Sequence, residues 1–139
     1  MFNKILVGTD GYGPASRAVA RAAELAEKSG AELLVAYSQP PSKTPEGSPL
    51  RDPSGQRGVD AGQGLLTDVE KHYGANVTIK TFLREGDPAE VLIDLAEEED
   101  ADLIVVGNRG MSKRFPLGVV ANQVSHHAPC NVLIVRTTE

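Results

Sequence analysis

Short apolar runs and amphipathic stretches alternate along this chain. Ile5-Leu6-Val7 is a continuous apolar run that stops at Gly8, the pattern of a strand buried on both faces. From Pro14 to Lys28 the positions Ala15, Ala18, Val19, Ala22, Leu25 and Ala26 recur at helical spacing. Pro14 suits the first turn of that helix and Gly30 its stop. Leu33-Leu34-Val35-Ala36-Tyr37 reads as a second strand. Between Gln39 and Gly58 the prolines Pro40, Pro41, Pro45, Pro49 and Pro53 interrupt a stretch with no apolar period. That stretch predicts a long, mobile surface loop.

Val59, Leu65, Leu66, Val69 and Tyr73 mark a second helix, and Val77, Ile79 and Thr81-Phe82-Leu83 a third strand. Gly86-Asp87-Pro88-Ala89-Glu90 is a helix start with a mechanism. Asp87 caps free N–H groups, Pro88 stands where a missing N–H costs nothing, and Glu90 can reach back. Val91, Leu92, Leu95 and Ala96 form the buried stripe that follows. Leu103-Ile104-Val105-Val106 is a fourth strand, Gly118 to His127 a last helix, and Val132-Leu133-Ile134-Val135 a fifth strand. Strands separated by helices imply right-handed crossovers and a doubly wound α/β fold with a five-stranded parallel sheet. All 139 residues fit one domain.

Composition narrows the function classes. Hydrophobic residues are 40% and charged residues 24% of the chain, enough for one core without staples. The formal net charge of −5 argues against a nucleic-acid binder. Cys130 is the single cysteine, so no internal disulfide forms and a reducing, cytoplasmic setting is expected. The apolar run at the start is too short for a signal peptide, and no stretch approaches membrane-spanning length.

Candidate chemistry gathers after two strands. Gly8-Thr9-Asp10-Gly11 follows the first strand and Gly107-Asn108-Arg109-Gly110 the fourth, each a Gly-x-x-Gly turn. In open α/β sheets, ligands bind beyond the carboxyl ends of strands where the strand order reverses. If those two strands are neighbours, the turns face each other across that crevice. Gly107 and Gly110 let the backbone approach a ligand, and N–H groups there and at Val119 and Val120 can hold phosphate oxygens. Asp10 can accept from ribose hydroxyls or a base, or help hold a metal bound to phosphate. Arg109, Lys113 and Arg114 add positive charge near an anion.

Plainer readings stand beside these. Glycines after strands serve as ordinary turn residues, Asp10 can simply cap the first helix, and Lys113 and Arg114 can be solvated charges. His126 and His127 are adjacent and diverge by about 100° on a helix, a poor metal pair. His72 is a lone residue on a helix, Cys130 sits half-buried before the last strand, and Glu97-Glu98-Glu99-Asp100 reads as a solvated helix end. No nucleophile elbow and no P-loop is present, so no catalytic residue is assigned.

These motifs resemble the universal stress protein family over nearly the whole chain. The resemblance runs from Ile5-Leu6-Val7-Gly8-Thr9-Asp10-Gly11 through Gly86-Asp87-Pro88. It is strongest over Val105-Val106-Gly107-Asn108-Arg109-Gly110-Met111-Ser112. It ends with Val124-Ser125-His126-His127-Ala128-Pro129-Cys130-Asn131-Val132-Leu133-Ile134-Val135. It implies a Rossmann-like sheet of order 3-2-1-4-5 with helices on both faces, and a homodimer through Val132, Leu133, Ile134 and Val135. One branch of the family binds ATP or AMP through Gly-x2-Gly-x9-Gly-Ser/Thr, and another branch lacks it and does not bind ATP; the cofactor expected here is ATP or AMP, with room for magnesium beside the phosphate. By the resemblance, Gly107, Gly110 and Gly118 match the three glycines. Asp10 matches the aspartate near ribose and base, and Tyr37 falls where backbone atoms contact adenine.

Two departures matter. Only seven residues, Met111 to Leu117, separate Gly110 from Gly118, and Val119 stands where the pattern has Ser or Thr. A lost hydrogen bond to a charged oxygen costs on the order of 1.5–3 kcal/mol, about ten- to a hundredfold in affinity. Pro116 also removes one donor. The expectation is a non-catalytic, stress-response binding module with a weakened phosphate site, better suited to AMP than to ATP. The alternatives are an interaction protein with an empty crevice and a slow ATP hydrolase.

Overall fold

The computed structural model describes residues 2–9, 13–39, 56–108 and 118–136. Asp10, Gly11, Arg109, Gly110, Lys113, Arg114 and Pro116 lie outside the described residues, as do positions 40–55 of the expected loop. The elements are β1 (Lys4–Gly8), α1 (Gly13–Ser29), β2 (Glu32–Gln39), α2 (Gln56–Tyr73), β3 (Ile79–Glu85), α3 (Pro88–Glu98), β4 (Leu103–Gly107), α4 (Val119–His127) and β5 (Asn131–Val135). All strand pairs are parallel, in the order β3-β2-β1-β4-β5. The expected fold and strand order are therefore present.

The apolar runs are continuous because the central strands are covered on both sides. Ile5, Val7, Leu33, Val35, Leu103 and Val105 face α1 and α2, packing on Ala18, Val19, Ala22, Ala26 and Leu66. Leu6, Leu34, Ala36, Ile104 and Val106 face α3 and α4, packing on Leu92, Leu95, Ala96, Ala121 and Val124. Each Leu or Ile withdrawn from water contributes about 1.5–3 kcal/mol, so β1, β2 and β4 anchor the domain. On the edge strands β3 and β5 no residue is fully buried.

Local chemistry sets the ends. Asp87 is the N-cap of α3, and its Oδ2 accepts from the Glu90 N–H at 3.2 Å, with Pro88 next in line. α1 closes with Gly30 at φ 67°, and the Ala31 N–H donates to the Ala26 carbonyl at 2.9 Å. α3 closes in the same way, the Ala101 N–H donating to the Ala96 carbonyl at 3.0 Å, but Asp100 holds the left-handed position at φ 55°.

Two boundaries differ from the sequence pattern. α2 begins at Gln56, inside the stretch expected to be loop. Gly58 and Gly62 supply no apolar side chain to its first turns, so the periodic signal starts late. β2 side chains fill the gaps they leave: a Cβ on Gly62 would stand 2.6 Å from Tyr37 Cδ1, and one on Gly58 2.3 Å from Gln39 Nε2. β3 begins at Ile79, after Val77, which is buried before the strand starts, and it continues to Glu85 through charged residues.

Candidate functional site

The strand order reverses between β1 and β4. β1 leads through α1 to β2 on one side, whereas β4 lies on its other side, paired in register from Ile5 with Leu103 to Val7 with Val105. Gly8-Thr9 and Gly107-Asn108 therefore leave the sheet side by side at its carboxyl edge. The Thr9 N–H donates to the Ala36 carbonyl at 2.9 Å, which ties the start of the first turn to β2. Among the described residues a Cβ on Gly8 would meet Leu92 methyls at 3.5 Å and the Ala36 carbonyl oxygen at 3.9 Å, ordinary contacts.

The second turn is held at both ends. The Asn108 N–H donates to the Val135 carbonyl at 2.8 Å, extending the β4–β5 ladder by one bond. The Asn108 carbonyl accepts from the Gly118 N–H at 2.7 Å. The chain that departs at Asn108 is thus back in contact at Gly118, despite a spacing two residues shorter than the family pattern. Gly118 is the N-cap of α4, with φ −63° and ψ 157° and no side-chain cap. The first helical bond runs from the Asn122 N–H to the Gly118 carbonyl at 2.9 Å. By helix geometry the N–H groups of Val119, Val120 and Ala121 have no acceptor within α4. The Val119 side chain is 64% exposed at this end.

Tyr37 lies one strand farther out. Its ring is half-buried on the α2 side of the sheet, against Gly62, so the backbone is what it offers at the strand end. The end of β2 is tied to the turn before α3. Ser38 Oγ donates to the Gly86 carbonyl at 2.6 Å, and the Gly86 N–H donates to the Gln39 carbonyl at 3.0 Å. Thr9, Gly107, Asn108, Gly118, Val119 and Val120 share one edge, with Tyr37 beside them. Asp10, Gly11, Arg109 and Gly110 lie outside the described residues.

A model of the family described as "Universal stress protein family" matches residues 1–136. The chain belongs to the universal stress protein family. A universal stress protein of Methanothermobacter thermautotrophicus is 41% identical over 81 residues, 55% of this chain and 56% of that protein. One from Mycobacterium tuberculosis is 35% identical over 144 residues, covering 99% of this chain and 98% of that one. A universal stress protein solved in complex with cAMP superposes with a TM-score of 0.77 at 31% identity, covering 99% of this chain and 98% of that one.

Elsewhere in this universal stress protein the titratable groups do other work. His126 and His127 are exposed in the last turn of α4, the end away from Gly118, with rings 6.4 Å apart. His72 is exposed and stacks edge-on with Tyr73 at 4.5 Å. Among the described residues no group of three His, Cys, Asp or Glu side chains could hold a metal ion. Cys130 is half-buried, and burial, then the Asp102 carboxylate, pushes its thiol pKa up, opposite to the shift a reactive thiolate needs. No helix among the described residues is long and apolar enough to cross a membrane.

The acidic run at the end of α3 is not merely a solvated face. Lys80 Nζ lies 2.7 Å from Glu99 Oε1, and Arg84 Nη2 lies 2.6 Å from Glu98 Oε2. Lys4 Nζ donates to the Glu99 carbonyl at 2.9 Å, placing a cation at the helix C-terminus. Asp102 accepts from the Asn3 and Lys4 N–H groups at 2.8 and 3.1 Å, latching the start of β1 at the edge opposite the crevice. These contacts join residues far apart in sequence, and no local motif announces them.

Proposed function

We propose that this universal stress protein holds an adenine nucleotide at the β1–β4 crevice and acts as a non-catalytic binding module. The observation that carries this reading is the 2.7 Å bond from Gly118 to Asn108, beside the end of β1. It sets the N-terminus of α4, whose first N–H groups have no acceptor within the helix and which carries the positive dipole end, next to the switch point. Backbone donors do not depend on side-chain identity, so they survive the loss of the hydroxyl at Val119. The cAMP bound by a relative of 31% identity supports an adenine ligand with a single phosphate. AMP or a cyclic nucleotide therefore binds more tightly than ATP, and Asp10 and the Tyr37 backbone meet ribose and base. The protein works in the cytoplasm as a homodimer through β5, whose five residues carry no charge.

Titration calorimetry with AMP, cAMP and ATP tests the ligand. No heat with any of them, and no nucleotide released on denaturing the purified protein, removes it. Val119→Ser should gain about tenfold or more in affinity through one hydroxyl on a phosphate oxygen. A second reading, an interaction protein whose crevice stays empty, is favoured by the exposure of Val119 itself, and no gain in the Ser variant selects it. Phosphate release from ATP that vanishes in Asp10→Ala would instead mark a hydrolase.

A further inference from the structure

The sheet ends in two edges of opposite chemistry. β5 reads Asn131-Val132-Leu133-Ile134-Val135, without a charge, and Ile134 is 38% exposed. β3 carries Lys80, Arg84 and Glu85 within seven residues. Among the described residues β3 has one strand neighbour, β2, along its whole length. α3 packs over β1 and β2, and from its carboxyl end Glu98 and Glu99 reach outward to Arg84 and Lys80. The Lys80 ammonium also lies 5.3 Å from the Phe82 ring centroid. Lys80, Phe82 and Arg84 share one face by strand alternation; Phe82 is partly buried against the α3-side core, and the ion pairs of Lys80 and Arg84 flank it.

We infer that the Lys80–Glu99 and Arg84–Glu98 pairs close the β3 edge to strand addition, so that a second copy of this chain can pair only along β5. The inference rests on the reading of β5 as the association edge. Suppose two copies paired antiparallel at β3 with Phe82 on the dyad. Lys80 of each would face Arg84 of the other, a like-charge pair directly across the ladder. Sliding the register by two residues, which keeps the dyad, still leaves all four cations on one face of one ribbon. The added strand would also strip water from side chains that are 54% exposed at Lys80 and 38% at Arg84, with no new partner to offer. The same operation at β5, with Leu133 on the dyad, sets Leu133 against its own copy and Val132 against Ile134, pairs that a ladder favours. Charged side chains on an edge strand are a general guard against unwanted pairing. Here one edge is guarded and the other is open, and association stops at two copies.

The test is the mass of the full chain by light scattering from micromolar to millimolar protein. Wild type should hold twice 14.7 kDa. Lys80→Thr/Arg84→Thr, folded by circular dichroism, should grow to at least twice the wild-type mass as concentration rises. Should the double variant not fold, the single variants Lys80→Thr and Arg84→Thr carry the test, each raising the average mass at the top of the range. Adding Ile134→Lys to the Thr variants should stop growth at a dimer, now paired through β3. Unchanged mass in the folded Thr variants overturns the inference, and so does growth that Ile134→Lys fails to cap, which marks indiscriminate aggregation. If wild type is a monomer, the reading of β5 fails alone, and doubling in the Thr variants still supports a guarded β3.

Discussion

Adding one methyl group at Gly62 probes how the crevice-side end of β2 is held. A Cβ there would stand 2.6 Å from Tyr37 Cδ1 and 2.8 Å from both Tyr37 Cε1 and Leu83 Cδ1. Ordinary carbon contacts are about 3.5–4.0 Å, so the ring and the Leu83 methyl must each retreat by about 1 Å. Overpacking of this kind costs about 1–3 kcal/mol. Exchanging Gly for Ala in a helix interior gives back about 1 kcal/mol. Gly64 is the internal reference, because a Cβ there meets nothing within 4 Å among the described residues. Gly64→Ala should stabilise the protein by about 0.5–1 kcal/mol, and Gly62→Ala should lie about 1–3 kcal/mol below it, since the propensity gain cancels in the comparison. Urea unfolding at equal slope measures the difference as a shift in midpoint. In a Tyr37→Leu background the penalty at Gly62 should shrink, because the ring edge that the methyl meets is gone. Equal stabilisation at both glycines would refute the close approach of α2 to Tyr37. On the proposal that the Tyr37 backbone meets adenine, Gly62→Ala should also weaken AMP binding, because the displaced ring is covalently tied to that backbone, whereas Gly64→Ala should not.

Asp100→Gly should stabilise by about 0.5–1 kcal/mol, because glycine adopts the left-handed position at no steric cost; no rise in the urea midpoint would contradict the helix end described here. The Arg84 guanidinium, hydrogen-bonded to Glu98, holds that carboxyl below its ordinary value. Its stabilising contribution is complete above the ordinary glutamate range and is lost as pH falls through the lowered folded value. Glu98→Gln should therefore lower stability by a constant amount above the glutamate range and make the acid limb shallower, the difference from wild type closing as pH falls, which urea midpoints across pH 3–8 would show. Burial, then Asp102, raises the Cys130 pKa, so alkylation of the native protein at neutral pH should be slower than that of the unfolded chain. Equal rates would put the thiol in open solvent.

Much of this architecture was legible in residue patterns. Ile5-Leu6-Val7 and Leu103-Ile104-Val105-Val106 announce strands covered on two sides, and Asp87-Pro88 announces a helix start that the 3.2 Å bond from the Glu90 N–H fulfils. Strand order is a different matter. A strand that is apolar on both faces carries no mark of its neighbours, so the order came from likeness to a family and not from periodicity. Edge chemistry escaped too. Glu98 and Glu99 look solvated in sequence because their partners Arg84 and Lys80 stand on another element, 14 and 19 residues away. The early start of α2 was hidden by glycines, which give a helix no apolar stripe to read. Of the candidate site, Thr9, Gly107 and Asn108 lie at one edge as the two Gly-x-x-Gly turns implied, whereas Gly118, which bonds Asn108, was marked only by likeness to the family pattern.

The contact between Asn108 and Gly118 makes the nine positions 109–117 an interchangeable cassette. Its ends are joined by the 2.7 Å bond from the Gly118 N–H to the Asn108 carbonyl. Lengthening the insert by the two residues that the family pattern holds would add only ~0.2 kcal/mol of closure entropy. The length of this insert can accordingly change with the closure between Asn108 and Gly118 left in place.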